Sequence, residues 1–168
     1  NSGFVNCWGI QDSSTWDYGQ VDNTPINSSF EQVSAGGTHT CALDSSGTVE
    51  CWGSDSYGQS TPPNASFLQV STGVEHTCGV DSNNAVQCWG RDVFGESTPP
   101  NSTFVQVSLG VEHSCGLTNN GTIECWGRNT FGQSSPPSGD FVQLSSGWYH
   151  NCAVDTNGAV HCWGRDTH

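Results

Sequence analysis

Cys51, Cys88, Cys125 and Cys162 each open a Cys-Trp-Gly triplet, and each lies 37 residues after the one before it. A chain that repeats this strictly is built from like units stacked on their neighbours, because no single unit of that length buries its own apolar surface. Cys7-Trp8-Gly9 is a fifth copy, 44 residues before Cys51, so the first linker carries seven extra residues.

Each period holds three strand candidates. Phe30, Phe67, Phe104 and Phe141 open runs of the type Phe67-Leu68-Gln69-Val70-Ser71, each closed by a glycine two residues on. A His-x-Cys segment with small and aliphatic residues follows, then a four-residue turn, then aliphatic-x-Cys-Trp-Gly. Tyr57-Gly58-Gln59 and Pro62-Pro63 read as loop, and no helical period runs through the chain. The fold class is therefore all-β. The repeat units are expected at 30–53, 67–90, 104–127 and 141–164, with a partial repeat at 1–9 reduced to an orphan N-terminal strand. Neither hairpin strand alternates cleanly between apolar and polar residues, which fits small sheets covered on both faces, as in the blades of a propeller. A two-sheet sandwich is the alternative, and it leaves the period unexplained. The expectation is one propeller-like domain over 1–168, with four complete three-stranded repeats in an open ring or in a ring completed by another molecule.

The turns between the paired cysteines are DSSG (44–47), DSNN (81–84), TNNG (118–121) and DTNG (155–158). In a type I turn with a following bulge, the last of these residues takes a left-handed backbone, which suits Gly and, at position 84, Asn. That register opposes Leu43 to Val49, Ala42 to Glu50 and Cys41 to Cys51. The cysteines then fall on a non-hydrogen-bonded pair, with Cα atoms about 4.5 Å apart, inside disulfide range. The predicted bridges are Cys41–Cys51, Cys78–Cys88, Cys115–Cys125 and Cys152–Cys162, each contributing roughly 2–3 kcal/mol. Zinc is the competing reading, since a His stands two residues before each first Cys. The cysteine spacing is not that of common zinc sites, so neither a metal nor a cofactor is expected. Cys7 occupies the Cys51 position of its unit without a counterpart ten residues earlier, so it is expected to be unpaired or intermolecular.

Asn-x-Ser/Thr sequons stand at Asn27, Asn64, Asn101 and Asn120. The first three share one repeat position, and Asn120 lies on a turn tip. Attached N-glycans and disulfides both require an oxidising secretory route, so the expected location is extracellular, secreted or on the cell surface. No initiating Met and no signal-peptide pattern are present, so a mature or excerpted chain is expected. Sixteen Asp and Glu against three Lys and Arg give a formal net charge of -13. Such a surface repels nucleic acid and anionic membranes, and no apolar stretch is long enough for a spanning helix, so no membrane insertion is expected.

The run SAGGTHTCALDSSGTVECWGSDSYGQSTPP (34–63) resembles the regulator of chromosome condensation repeat. The matching residues are Gly36, His39, Thr40, Gly47, Trp52, Gly53, Gly58 and Gln59, with counterparts 37, 74 and 111 residues later. The short period and the added cysteine pairs are similar to the secreted branch of that family, which includes beta-lactamase inhibitor protein II and crinkly-type receptor ectodomains. The resemblance implies a propeller with more blades than the complete repeats present here. Activities within the family range over nucleotide exchange, enzyme inhibition and receptor binding, so fold alone does not choose among them.

His39, His76, His113 and His150 recur at one repeat position. Symmetry spreads them between units instead of converging them, so structural hydrogen bonding is expected. The chain has no nucleophile elbow, phosphate loop or His-Glu-x-x-His pattern, and it is not read as an enzyme. Glu75 and Glu112 read as a solvated acidic face, with a weak calcium site as the alternative. Arg91, Arg128 and Arg165 each follow a Cys-Trp-Gly triplet and are expected to pair locally between loops. Trp148 and Tyr149, and Trp16 in the first linker, break the repeat and are candidate binding residues, against a reading of local packing. The function expected is a non-catalytic extracellular glycoprotein module for protein–protein contacts, plausible as an assembly subunit of a surface structure or fibre. Its unsatisfied edges would associate head to tail. A carbohydrate-binding lectin and an inhibitor of a secreted enzyme are the alternatives.

Overall fold

The computed structural model describes residues 4–9, 15–26 and 28–166. These form twelve strands: β1 (Phe30–Ala35), β2 (His39–Asp44), β3 (Val49–Gly53), β4 (Phe67–Thr72), β5 (His76–Asp81), β6 (Val86–Gly90), β7 (Phe104–Leu109), β8 (His113–Thr118), β9 (Ile123–Gly127), β10 (Phe141–Ser146), β11 (His150–Asp155) and β12 (Val160–Gly164). They make four antiparallel sheets of three, in the orders β1-β2-β3, β4-β5-β6, β7-β8-β9 and β10-β11-β12. No helix of the described residues is long and apolar enough to cross a membrane.

The hairpin register follows from the turn. Leu43 opposes Val49, Ala42 opposes Glu50 and Cys41 opposes Cys51, with the same pattern in the other three sheets. Gly47, Asn84, Gly121 and Gly158 take φ of 85°, 63°, 86° and 84° at the last turn position, where a left-handed backbone strains most side chains. Asp44 closes the turn by a route that periodicity does not show. Its backbone N–H donates to Thr48 O at 3.0 Å, while its carboxylate Oδ1 accepts the N–H groups of Ser46 and Thr48 at 2.8 and 2.9 Å. All four bridges are formed, with Cα atoms 4.0 to 4.1 Å apart. That is the close approach of a non-hydrogen-bonded pair.

The first strand of every sheet carries a bulge between its Phe and its Gln. Phe67 opposes Asp81 while Gln69 opposes Val80, so one residue is inserted on β4. An inserted residue flips the side chains that follow it. Phe67 and Val70 therefore face back onto the preceding sheet, and Gln69 faces forward. Each interface has one composition: the disulfide and aliphatic residues of one sheet's front meet the Phe, Val and Trp of the next sheet's back. Cys41, Leu43, Val49 and Cys51 pack on Phe67, Val70 and Trp89. Cys78, Val80, Val86 and Cys88 pack on Phe104, Val107 and Trp126, and Cys115, Leu117, Ile123 and Cys125 on Phe141, Leu144 and Trp163. The bridges are thus packing elements between sheets as well as staples within them.

The sheets form an arc that does not close. The two outer faces show it: Val33 on the back of the first sheet is 52% exposed, against 1% for its counterparts Val70 and Val107, and Val160 on the front of the fourth is 66% exposed, against 6% for Val49. Residues 4–9 carry no strand pairing, which differs from the orphan strand expected there. An outer strand draws its ladder bonds from the middle strand of its own sheet, and no described segment stands in that place. Val5 and Cys7 nevertheless pack on Phe30, Ala42 and Trp52, as Val49 and Cys51 pack on the second sheet.

Candidate functional site

Three polar contacts repeat at every sheet-to-sheet step. The Gln32 amide receives the Val70 N–H at 2.9 Å and donates to Val70 O at 3.1 Å. Gln69 does the same with Val107, and Gln106 with Leu144. His39 Nε2 meets Thr77 Oγ1 at 2.8 Å, His76 meets Ser114 Oγ at 2.9 Å, and His113 meets Asn151 Oδ1 at 2.9 Å. The Thr77 and Ser114 hydroxyls donate to the carbonyls of Gln59 and Glu96, so each ring must supply the proton from Nε2. Those carbonyls, with that of Gln133, also accept the indole N–H of Trp89, Trp126 and Trp163. Gln20 O plays that part for Trp52 at 2.9 Å, so the Tyr18-Gly19-Gln20 loop serves the first sheet as later loops serve theirs.

The rings at 39, 76 and 113 are buried, and the Nδ1 atoms of His76 and His113 have no hydrogen-bond partner among the described residues. Burial lowers His39 to about 4 and His76 to about 3 from the ordinary 6.5, and lowers His113 as well. Neutral, single-donor rings locked between sheets are structural, as their periodicity implies. A glycine stands over each of them. A Cβ on Gly110 would lie 2.6 Å from Gly147 O and 2.6 Å from His113 Nδ1.

The two ends of each sheet differ chemically. At one end the hairpin turn bonds the next sheet, with Phe67 N–H donating to Gly47 O and Phe104 N–H to Asn84 O. Asn64, Asn101 and Asn120 are exposed at this end, and Asn101 and Asn120 line one polar recess. Asn27 lies outside the described residues.

At the other end the connections between first and second strands surround an axial cavity of about 200 Å³, lined by Gly36, Gly73, Gly110, Gly147 and Trp148. Trp148 is 74% exposed there. Tyr149 turns away and packs edge-on against Phe131 with ring centroids 5.6 Å apart, so the adjacent pair is not one stacking platform. Trp16 is exposed in the first linker, where its carbonyl accepts the Gln20 side chain. Tyr57, Phe94 and Phe131 are partly exposed at one repeat position of this end. Arg91 and Arg128 lie over the Phe94 ring at 5.3 and 5.0 Å, and Arg165 over Phe131 at 5.0 Å.

Arg91 also holds Glu96 at 2.9 Å, Glu112 at 3.3 Å and Glu75 at 3.4 Å, and Arg128 holds Glu112 at 2.5 Å. This corrects the solvated-face reading of Glu75 and Glu112: both belong to a loop network between sheets. No group that could hold a metal occurs among the described residues. Glu96, fully buried, was not singled out by sequence. It stands where other repeats have Gln59 and Gln133, and Arg91 stands where the first has Ser54, which receives the Gln59 amide. The change from Gln to Glu at 96, beside an Arg that recurs at 128 and 165, was the available signal.

The regulator of chromosome condensation (RCC1) repeat model matches residues 30–59, 67–96, 104–133 and 141–168. Among solved structures, the CRINKLY WD40 ectodomain of the Arabidopsis thaliana receptor kinase ACR4 is similar, with 29% identity and a TM-score of 0.75 over 97% of this chain and 57% of that one. The ectodomain of the Physcomitrella patens receptor kinase CR4 matches with a TM-score of 0.77 and 24% identity, over 97% of this chain and 44% of that one. Prp20p of Saccharomyces cerevisiae, studied for its binding to Gsp1p and histones, matches with a TM-score of 0.72 and 18% identity, over 90% and 51%. The last two show likeness of fold alone. This chain spans about half the length of these structures. No curated protein sequence matches it.

Proposed function

Since this chain belongs to the regulator of chromosome condensation repeat family, we propose that it is a non-catalytic extracellular glycoprotein module that joins proteins through its open sheet faces, as an assembly subunit of a surface structure. One observation carries the reading. The front of the fourth sheet presents the full bonding set of an interior step with no described residue covering it: Gln143 and His150 are exposed, as is Val160, while their counterparts in the first three sheets bind the next sheet. A face that is satisfied three times inside the chain fits a further β-sheet of the same kind, head to tail. The four disulfides and the receptor ectodomain with 29% identity support an extracellular setting, and the exposed Asn64, Asn101 and Asn120 support glycans at the turn end.

Light scattering across a concentration series tests this. Concentration-dependent multimers that are abolished by Val160→Asp are expected, and a monomer at every concentration removes the assembly role. A carbohydrate ligand is the second reading, favoured by the exposed Trp148 on the axial cavity. Glycan binding lost in Trp148→Ala would support it, and binding to no glycan would remove it.

A further inference from the structure

The sequence holds two Asn-Gly pairs, Asn120-Gly121 and Asn157-Gly158, and the fold sets both on the last two positions of a hairpin turn. Both asparagines are exposed. Both glycines take the same left-handed backbone, with φ of 86° and 84°. Each glycine N–H donates to the carbonyl of the first turn residue, Thr118 or Asp155, at 3.1 and 3.0 Å. In such a pair the glycine nitrogen lies one bond beyond the asparagine carbonyl and carries no neighbouring side chain to shield it, so it is free to attack the side-chain amide. The other two hairpins lack the pair. Ser46 stands at the asparagine position of the first, and Asn83 of the second is followed by Asn84, whose side chain crowds the attacking nitrogen.

The two turns differ in what holds the amide. The third sheet's turn opens with Thr118, where the other three open with Asp. The Thr118 hydroxyl donates to Asn120 Oδ1, and the Thr122 hydroxyl donates to the same atom at 3.2 Å. The Asn120 amide is therefore folded back over its own turn and gripped from both sides. In the fourth sheet the Asp155 carboxylate takes the N–H groups of Asn157 and Ala159 at 2.8 and 2.9 Å, as Asp44 does in the first. Ala159 has no hydroxyl to offer, and the Asn157 side chain has no partner among the described residues.

We propose that Asn157 is a site of spontaneous deamidation to aspartate and isoaspartate in the folded protein, and that Asn120, the same dipeptide on the same turn, is spared. The Gly158 nitrogen loses its proton and bonds to Asn157 Cγ. The bond from Cγ to Nδ2 breaks, and Nδ2 leaves with that proton as ammonia. One water then opens the resulting five-membered imide. Cleavage on the Cγ side gives aspartate, and cleavage on the main-chain carbonyl side gives isoaspartate. One water is consumed and one ammonia released, with no oxidant or reductant. At Asn120 the same attack must first break the two hydroxyl bonds. Isoaspartate adds a methylene to the main chain of a turn whose length sets Cys152 opposite Cys162. The site needs neither a partner nor an open sheet face, so its failure leaves the proposed role untouched.

The test uses the full chain made without N-glycosylation, so that both amides are free, with its disulfides intact. It is held in mildly alkaline buffer, and peptide mapping follows aspartate and isoaspartate at both sites. Each rate is divided by that of the same site in the reduced, urea-unfolded chain. Asn157 should react faster than Asn120 by on the order of tenfold, the worth of the hydrogen bonds that Asn120 must give up. Thr118→Asp/Thr122→Ala copies the fourth turn onto the third, and should bring Asn120 up to the rate of Asn157. Equal rates in the folded chain, or an intact Asn157 while the unfolded chain reacts, would overturn the inference. So would faster loss at Asn120, which would mean that the hydroxyls polarise its carbonyl for attack, or an Asn120 rate unmoved in Thr118→Asp/Thr122→Ala.

Discussion

Acid should destabilise this protein through its three interior histidines. The folded state keeps His39, His76 and His113 neutral between sheets, because burial lowers His39 to about 4 and His76 to about 3, and lowers His113 too. The unfolded chain protonates all three as pH falls through 6.5. Their contribution is complete above pH 6.5 and is lost progressively down to the folded values. Each proton taken up only by the unfolded chain costs about 1.4 kcal/mol per pH unit. His39 and His76 make that about 3 kcal/mol per unit, or about 5 kcal/mol by roughly pH 4.5, and His113 adds in the same direction. Domains of this size are stable by about 5–15 kcal/mol, so that loss removes a large share of the stability. Asp44 and Asp155, held below their ordinary 3.8 by the hydroxyl of Ser46 and by His161 respectively, act at lower pH. Urea unfolding followed by tryptophan fluorescence, from pH 7.5 to 4.5 with disulfides intact, measures the slope. His76→Gln should make it shallower by about 1.4 kcal/mol per pH unit. Stability that stays flat between pH 6.5 and 4.5, or a slope unchanged in His76→Gln, would refute the assignment of neutral rings.

Removing one bridge in Cys78→Ser/Cys88→Ser should lower stability by about 2–3 kcal/mol for a loop this short, read as a fall in the urea midpoint. Arg91→Ala should cost about 3–5 kcal/mol by leaving the buried Glu96 carboxylate unpaired, and adding Glu96→Gln should restore most of it by copying the repeats that carry Gln59 and Gln133. An Arg91→Ala/Glu96→Gln protein no more stable than Arg91→Ala would contradict that pairing. Gly110→Ala should lower the melting temperature sharply, because its Cβ meets both His113 and the Gly147 carbonyl, whereas Gly132→Ala, with open space around it but a left-handed backbone, should cost about 1 kcal/mol.

Strand register and cysteine pairing were legible in the sequence because a four-residue turn ending in Gly or Asn leaves one alignment for Cys41 and Cys51. The His rings were legible as structural parts because their spacing forbids convergence. The role of Gln32, Gln69 and Gln106 was not. It depends on a bulge one residue earlier that turns each amide toward the next sheet, and alternation alone places Gln on the same face as Phe. Adjacency misled at Trp148 and Tyr149, since neighbours in an irregular connection point apart as readily as together. Glu75 and Glu112 looked solvated because a charge excess hides the few arginines that gather them. Val33 carries no mark of its own: the same residue is interior at position 70 and open at 33, and only the missing neighbour distinguishes them.

The bonds from Gln32, Gln69 and Gln106 end on main-chain atoms, which every amino acid possesses. Recognition by these glutamines is thus written on the donor side only, and the residue that receives them is free to drift, as Val70, Val107 and Leu144 already do. Such an array can be lengthened or shortened by whole units without re-matching this set of contacts.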